Sequence, residues 1–238
     1  MVHTIADRQR EGLDAIDELL RGAGHELKTP LTALKLGLDS VTMQLSSGDL
    51  DTEMLALKVA ACQRQVTRLT ALVATLLDFS RAQTGRLSVR RETFDLTQVV
   101  HQAALRLAED ARRAGCELSV IASDPAVGCW DRERLSRVVT GLVLNAFKFG
   151  TGQPVEVGVR CDDDKARVWV RDHGKGLAPE AARQVFDRVA PPAGQTAGLR
   201  LTLFVAKHIV EALDGHLSVE SIEGAGATFI IELPLATR

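Results

Sequence analysis

Between positions 27 and 45 the apolar residues Leu27, Leu31, Leu34, Leu38, Val41 and Leu45 follow one another at a strict four-three-four-three-four spacing. That spacing places all six on one narrow stripe of a helix with a heptad repeat, a pattern of no use to a strand. Residues 46–51, Ser-Ser-Gly-Asp-Leu-Asp, interrupt it with turn formers, and Leu55, Val59, Cys62, Val66, Leu69, Val73 and Leu76 then resume the same alternation. Two long helices joined by a short turn form an antiparallel hairpin. With one narrow seam on each helix, such a hairpin buries little surface alone, and pairing with a second copy into a four-helix bundle is the usual remedy. A homodimer is therefore expected.

Residues 1–22 continue the helical composition less regularly, with Val2, Ile5, Leu13, Ile16 and Leu20 among charges, and read as an incoming helix. Beyond Gln83-Thr84-Gly85 the texture changes to short alternating runs and amphipathic helices. The expected domains are 1–22, the incoming helix; 23–84, the hairpin; and 85–238, a second globular unit. In the last, strands are expected at Leu87–Val89, 117–121, 155–160, 167–171, 216–221 and 227–233. Helices are expected at 96–114, 131–149, 179–188 and 199–213. The fold class is thus α+β, a helical hairpin followed by a two-layer α/β sandwich.

With 238 residues, 45% of them hydrophobic, the chain has enough apolar surface for two modest cores. Its formal charge of −2 comes without a basic stripe, which argues against nucleic acid as a partner. Cys62, Cys116, Cys129 and Cys161 show no C-x-x-C spacing, which reads as isolated reduced thiols in a cytoplasmic protein. No apolar run of about 18 residues exists, so no membrane segment is expected in this stretch, although a membrane-anchored parent is compatible with it.

With 100° per residue and Leu27 at zero, the seam stays within about 40° of that reference while His25 falls near 160°, away from the bundle core. Thr29 and Thr32, four and seven residues on, share its exposed stripe, with Glu26 beside it. An imidazole nitrogen is a competent nucleophile for a phosphoryl group, and a neighbouring carboxylate can hold the tautomer and take the proton. Pro30 removes an amide donor in mid-helix and is expected to kink or loosen this turn.

The string Gly24-His25-Glu26-Leu27-Lys28-Thr29-Pro30-Leu31-Thr32 closely resembles the H box of sensor histidine kinases. The resemblance implies that His25 accepts a phosphoryl group, that Glu26 is the base, and that Thr29 orients water when a response regulator is dephosphorylated. It also implies an ATP-binding domain downstream, and the boxes follow in order. Leu144-Asn145-Ala146-Phe147-Lys148-Phe149 resembles the N box, where Asn145 would ligate Mg²⁺ and Lys148 and Phe149 would contact nucleotide. Asp172-His173-Gly174-Lys175-Gly176 matches the first glycine box, whose carboxylate reads the adenine amino group. Phe186 fits the phenylalanine box, with Val189 in place of its second phenylalanine. Gly224-Ala225-Gly226-Ala227-Thr228-Phe229 matches the third glycine box, with Thr228 assigned to the nucleotide.

Two departures stand out. Where the family's second glycine box has three glycines, this chain reads Gly198-Leu199-Arg200-Leu201-Thr202-Leu203 and keeps only Gly198. Gly141 occupies the place, four residues before Asn145, where the family usually has a polar side chain. The expected function is ATP- and Mg²⁺-dependent autophosphorylation of His25 and transfer to an aspartate of a response-regulator receiver domain. The alternative is a degenerate kinase that serves as a binding module or as a phosphatase through Thr29.

Overall fold

The computed structural model describes residues 5–47, 51–122, 124–150, 152–162, 164–186 and 197–235, with side chains from residue 21 onward and, in the last stretch, from 201. The chain divides into two compact units, one whose bulk is Met1–Ser80 and one whose bulk is Arg81–Gly194 and Thr202–Arg238.

The first unit is two helices, α1 (Ile5–Ser47) and α2 (Thr52–Gln83). The incoming segment and the first hairpin helix are one uninterrupted helix from Ile5, and Pro30 does not end it. The side chains of Ile5, Leu13, Ile16 and Leu20, and all of Val2, lie outside the described residues. Pro30 is buried. Asp51 starts α2 by accepting from the amides of Glu53 and Met54, both at 3.0 Å, which satisfies two of the helix's unpaired donors.

The helices run antiparallel. Gly37 meets Cys62 so closely that a Cβ on the glycine would lie 2.7 Å from Sγ. Nearer the turn, Lys58 Nζ donates to Gln44 Oε1 at 2.7 Å. The single seam read from the sequence divides into two rows. Leu27, Leu34, Val41, Leu55, Cys62, Leu69 and Leu76 turn inward and are half-buried or buried. Leu31, Leu38, Leu45, Val59, Val66 and Val73 are 41–57% exposed. A heptad seam in a hairpin serves two neighbours, and one chain supplies only the first.

In the second unit, β1 (Glu92–Asp95) and β3 (Val127–Trp130) form an antiparallel ribbon. Four of the remaining elements come before the middle of the sheet: α3 (Leu96–Ala114), β2 (Leu118–Ala122), α4 (Arg132–Gly150) and β4 (Val155–Asp162). They are followed by β5 (Lys165–Asp172), α5 (Pro179–Gln184), α6 (Ala197–Ala212), β6 (His216–Ile222) and β7 (Gly226–Pro234). The sheet order is β2-β4-β5-β7-β6, with β2 parallel to β4 and every other pair antiparallel.

The strand expected at Leu87–Val89 does not form: those residues carry no regular secondary structure, and the pairing begins at Glu92 opposite Trp130. The helix expected over 179–188 ends at Gln184, and Val185 and Phe186 turn away. Residues 187 and 188, together with Val189, Pro191, Pro192 and Gly194, lie outside the described residues.

Pleat alternation sorts the sheet into two faces. Ala166, Val168, Val170, Phe229, Ile231 and Leu233 are buried on the face that α3 and α4 cover. The other face carries Arg167, paired with Glu232 at 2.5 Å, and Trp169, whose ring lies directly over Gly158. The result is two layers, as the sequence implied. Asp172 is the last member of the inward series on β5, so a carboxylate stands where the alternation calls for a core residue.

Candidate functional site

His25 stands exposed on α1, with Thr29 and Thr32 exposed on the same stripe and Glu26 half-exposed beside it. The Thr29 hydroxyl donates to the His25 carbonyl at 3.2 Å, which holds it on the turn that carries the imidazole. Pro30, having no amide hydrogen, leaves the Glu26 carbonyl without its helical donor. The turn is thus loosened in its hydrogen bonding without being broken.

The second cluster lies at one end of the sandwich. On α4, Leu135, Val138, Val139, Leu142, Val143, Ala146 and Phe147 form the buried face. Gly141, Asn145 and Lys148 share a stripe along its edge at i, i+4 and i+7. The Asn145 Nδ2 is buried and, among the described residues, has no hydrogen-bond partner. A buried amide left unpaired costs free energy, so the fold holds this side chain for something other than its own packing. Lys148 Nζ and Lys175 Nζ lie 5.5 and 5.6 Å from the centre of the Phe149 ring, near enough for a cation–π attraction.

Asp172 lies between Val155 and Ala227 in the sheet register. Its Oδ1 accepts from the Gly174 amide at 2.9 Å. Burial pushes its carboxyl above the ordinary aspartate value, against the pull of backbone amides from Gly174 and Ala227 and of the nearby His173. The loop after it is bound into the fold by backbone contact. A Cβ on Gly174 would run into the Phe149 carbonyl, one on Gly176 into the Ile222 carbonyl, and one on Gly226 into the Asp172 carbonyl. The motif glycines therefore serve first to bring strand and helix ends together into a floor. Ser221, which no sequence motif marks, clasps the same floor: its hydroxyl accepts from the Leu177 amide and donates to the Gly226 carbonyl, each at 2.8 Å.

Asp172, Gly174, Gly176, Phe149 and, one turn back on α4, Asn145 are thus gathered at one end of this unit. Thr228 is not. Ala227 is the residue opposite Asp172, and Thr228, one step on, pairs with Arg171 and Glu220 on the other face of the sheet. The motif reading that assigned Thr228 to the nucleotide ignored strand parity. Gly198 belongs to the first turn of α6, and its surroundings lie outside the described residues.

Residues 130–237 match the family model described as the histidine kinase-, DNA gyrase B- and HSP90-like ATPase, and residues 15–85 match the His Kinase A phospho-acceptor domain. The chain belongs to the sensor histidine kinases. Sensor protein SrrB of Staphylococcus aureus is 29% identical across 98% of the chain. The chain spans about 41% of that relative's length. Among solved structures, full-length ShkA in complex with AMPPNP aligns over 93% of this chain and 46% of its own, at TM-score 0.63 and 26% identity. Acinetobacter baumannii histidine kinase AdeS aligns over 90% of this chain and 98% of its own, at TM-score 0.60 and 21% identity, a likeness of fold. The ATPase family match makes the second unit of this kinase core an ATP-binding domain.

The site fits a magnesium-bound triphosphate. Among the described residues no group of three His, Cys, Asp or Glu could enclose a metal ion, and Mg²⁺ bound to a nucleotide takes most of its ligands from phosphate and water. The Asn145 amide suits that need in two ways: its Oδ1 is an oxygen of the kind Mg²⁺ takes, and its buried Nδ2, without a partner among the described residues, can donate to a phosphate oxygen.

Proposed function

We propose that the chain uses ATP to phosphorylate His25 and passes the phosphoryl group to an aspartate on a response-regulator receiver domain. The observation that carries this reading is the solvent-exposed imidazole on the H-box stripe, in the same chain as an ATP-binding domain. In the first step an imidazole nitrogen attacks the γ-phosphorus, an N–P bond forms, the bond to the β-phosphate oxygen breaks and ADP leaves. Glu26 takes the imidazole proton. In the second step the phosphoryl group moves to the receiver carboxylate and His25 is regenerated. Bound Mg²⁺ would neutralise phosphate charge, with Asn145 as its protein ligand. Incubation with γ-labelled ATP and Mg²⁺, scored for acid-labile, alkali-stable label on the protein, tests the reading directly. A folded protein that binds nucleotide and takes up no label would overturn it. The degenerate alternative finds no support in the relatives.

In this reading Asp172 accepts from the adenine amino group as a carboxylate, while Gly174 and Gly176 shape the loop around it and Phe149 and Lys148 line the nucleotide. Because burial raises the Asp172 carboxyl, it takes up a proton at a higher pH than an ordinary aspartate. Nucleotide affinity is expected to fall as the pH is lowered from about 7 towards 4, with its midpoint above the usual carboxylate value. Stability responds with the opposite sign: a raised folded-state value means protonation favours the fold, so Asp172 stabilises on acidification and costs stability above that value. Titrating fluorescent-nucleotide binding against pH, beside Asp172→Asn, checks this. The variant should bind weakly and lose the titration.

We also propose that the protein works as a homodimer, because the exposed row Leu31, Leu38, Leu45, Val59, Val66 and Val73 repeats every seven residues and lacks only a second hairpin. Placing a charge there desolvates it on association, so Leu38→Glu is expected to convert dimer to monomer at micromolar concentration. Light scattering reads the mass, and retention of the dimer would refute the assignment of this face. No helix among the described residues is long and apolar enough to cross a membrane. All four cysteines are free thiols, and with ATP and a receiver domain as co-substrates we place this part of the protein in the cytoplasm.

A further inference from the structure

The two departures from the family pattern, distant in sequence, meet in space. A Cβ built on Gly141 would lie 2.7 Å from Thr202 Cγ2, and among the described residues nothing else outside the glycine's own helix comes within 4 Å. A real Cβ does not sit that close to a methyl group, so a side chain at 141 and the Thr202 side chain exclude each other. Among the described residues, Thr202 alone closes the space beside Gly141. Both residues are half-buried, although their neighbours Leu142, Val143, Leu201 and Leu203 are 2% exposed or less. They therefore stand at the edge of the core. Gly141 is one helical turn before Asn145 on the same stripe of α4, so the edge in question is the one that carries the orphaned amide.

We propose that Thr202 is a positioning residue of the nucleotide site and replaces the polar arm that α4 lacks. Its side chain fills the space left by Gly141, and its hydroxyl, on the same Cβ as the contacting methyl, serves the cation and phosphates held at Asn145. This inference rests on the reading of Asn145 as the magnesium ligand. A threonine in the glycine box is then one half of an exchange: small on α4, polar on α6. A side chain with an oxygen at 202 and none at 141 keeps one oxygen at this edge of the site, delivered from the facing helix.

The test uses the full chain and trinitrophenyl-ATP, with affinity measured in Mg²⁺ and in chelator and thermal melting recorded for every variant. Thr202→Val keeps the volume and removes the hydroxyl; it should melt like the parent, lose about tenfold in affinity in Mg²⁺ and change little in chelator. Thr202→Ser should restore the Mg²⁺-dependent gain. Gly141→Asn should lose tenfold or more, and Gly141→Asn with Thr202→Gly should return to within about threefold of the parent, since the clash is gone and an oxygen stands again at this edge. If Gly141→Asn alone fails to fold, recovery of folding and affinity in the double variant supports the exchange, and no recovery overturns it. Thr202→Val binding like the parent in Mg²⁺, or the two glycine-site changes simply adding, also overturns it. A parent that binds no nucleotide at all overturns the reading of the site itself, and this inference with it.

Discussion

His25→Ala should reduce acid-labile label from γ-labelled ATP to background while leaving nucleotide affinity, dimer mass and melting temperature as they are. The imidazole is exposed, so its removal takes little from the core and the stability cost should stay within about 0.5 kcal/mol. The loss of label is complete because no neighbour can substitute. Thr29 and Thr32 share the stripe, but a hydroxyl there would give an acid-stable ester that the chemistry of the label distinguishes. Glu26→Gln should retain label at a rate lower by about 10²–10⁴, the usual worth of a general base. Thr29 bonds the His25 carbonyl from its own turn, and Thr29→Ala should leave autophosphorylation largely intact while slowing any dephosphorylation of the receiver domain. Label surviving in His25→Ala would place the acceptor elsewhere and overturn the assignment.

The exposed stripe was legible in the sequence because helical periodicity is a local property: 100° per residue from Leu27 puts His25 outside whatever the partner helix does. The division of the heptad seam was not, because both rows obey the same spacing and only the presence of α2 decides which is covered. The ribbon β1–β3 escaped notice for a related reason. Each of its strands has four residues, too few to show an alternation, and they are defined by one another across some thirty residues of chain. Leu87–Val89 shows alternation and lacks a partner strand among the described residues, and it is pairing that makes a strand. Thr228 was misplaced because a motif is matched by position along the chain, whereas the face a strand residue presents depends on its parity in the register. Asp172 is marked by its motif, but that it terminates an inward-facing series, and so has a raised carboxyl, follows only from the sheet. Gly141 and Thr202 looked like two defects; folded, each is the reason the other is tolerated.

The largest structural effect is expected at Gly226. Its φ of +94° lies where L side chains are strained, and a Cβ there would drive into the Asp172 carbonyl. Backbone cannot yield as the end of a flexible side chain can, so Gly226→Ala must separate β7 from β5 at the point where the Ala227 amide supports the Asp172 carboxylate. We expect a loss of about 3 kcal/mol or more in the stability of the ATP-binding unit, and nucleotide binding below detection. Gly224, two residues earlier in the same turn, is the control: its φ is +82°, but among the described residues a Cβ there meets nothing within 4 Å. Gly224→Ala carries only the conformational penalty, about 1 kcal/mol, and should bind nucleotide nearly as the parent does. Thermal melting and nucleotide titration of the two variants side by side separate the contributions. Equal losses would mean that these glycines are required only for the turn. A much larger loss at Gly226 would mean that close backbone approach beneath Asp172 builds the site, since turn geometry is common to both positions and contact is not.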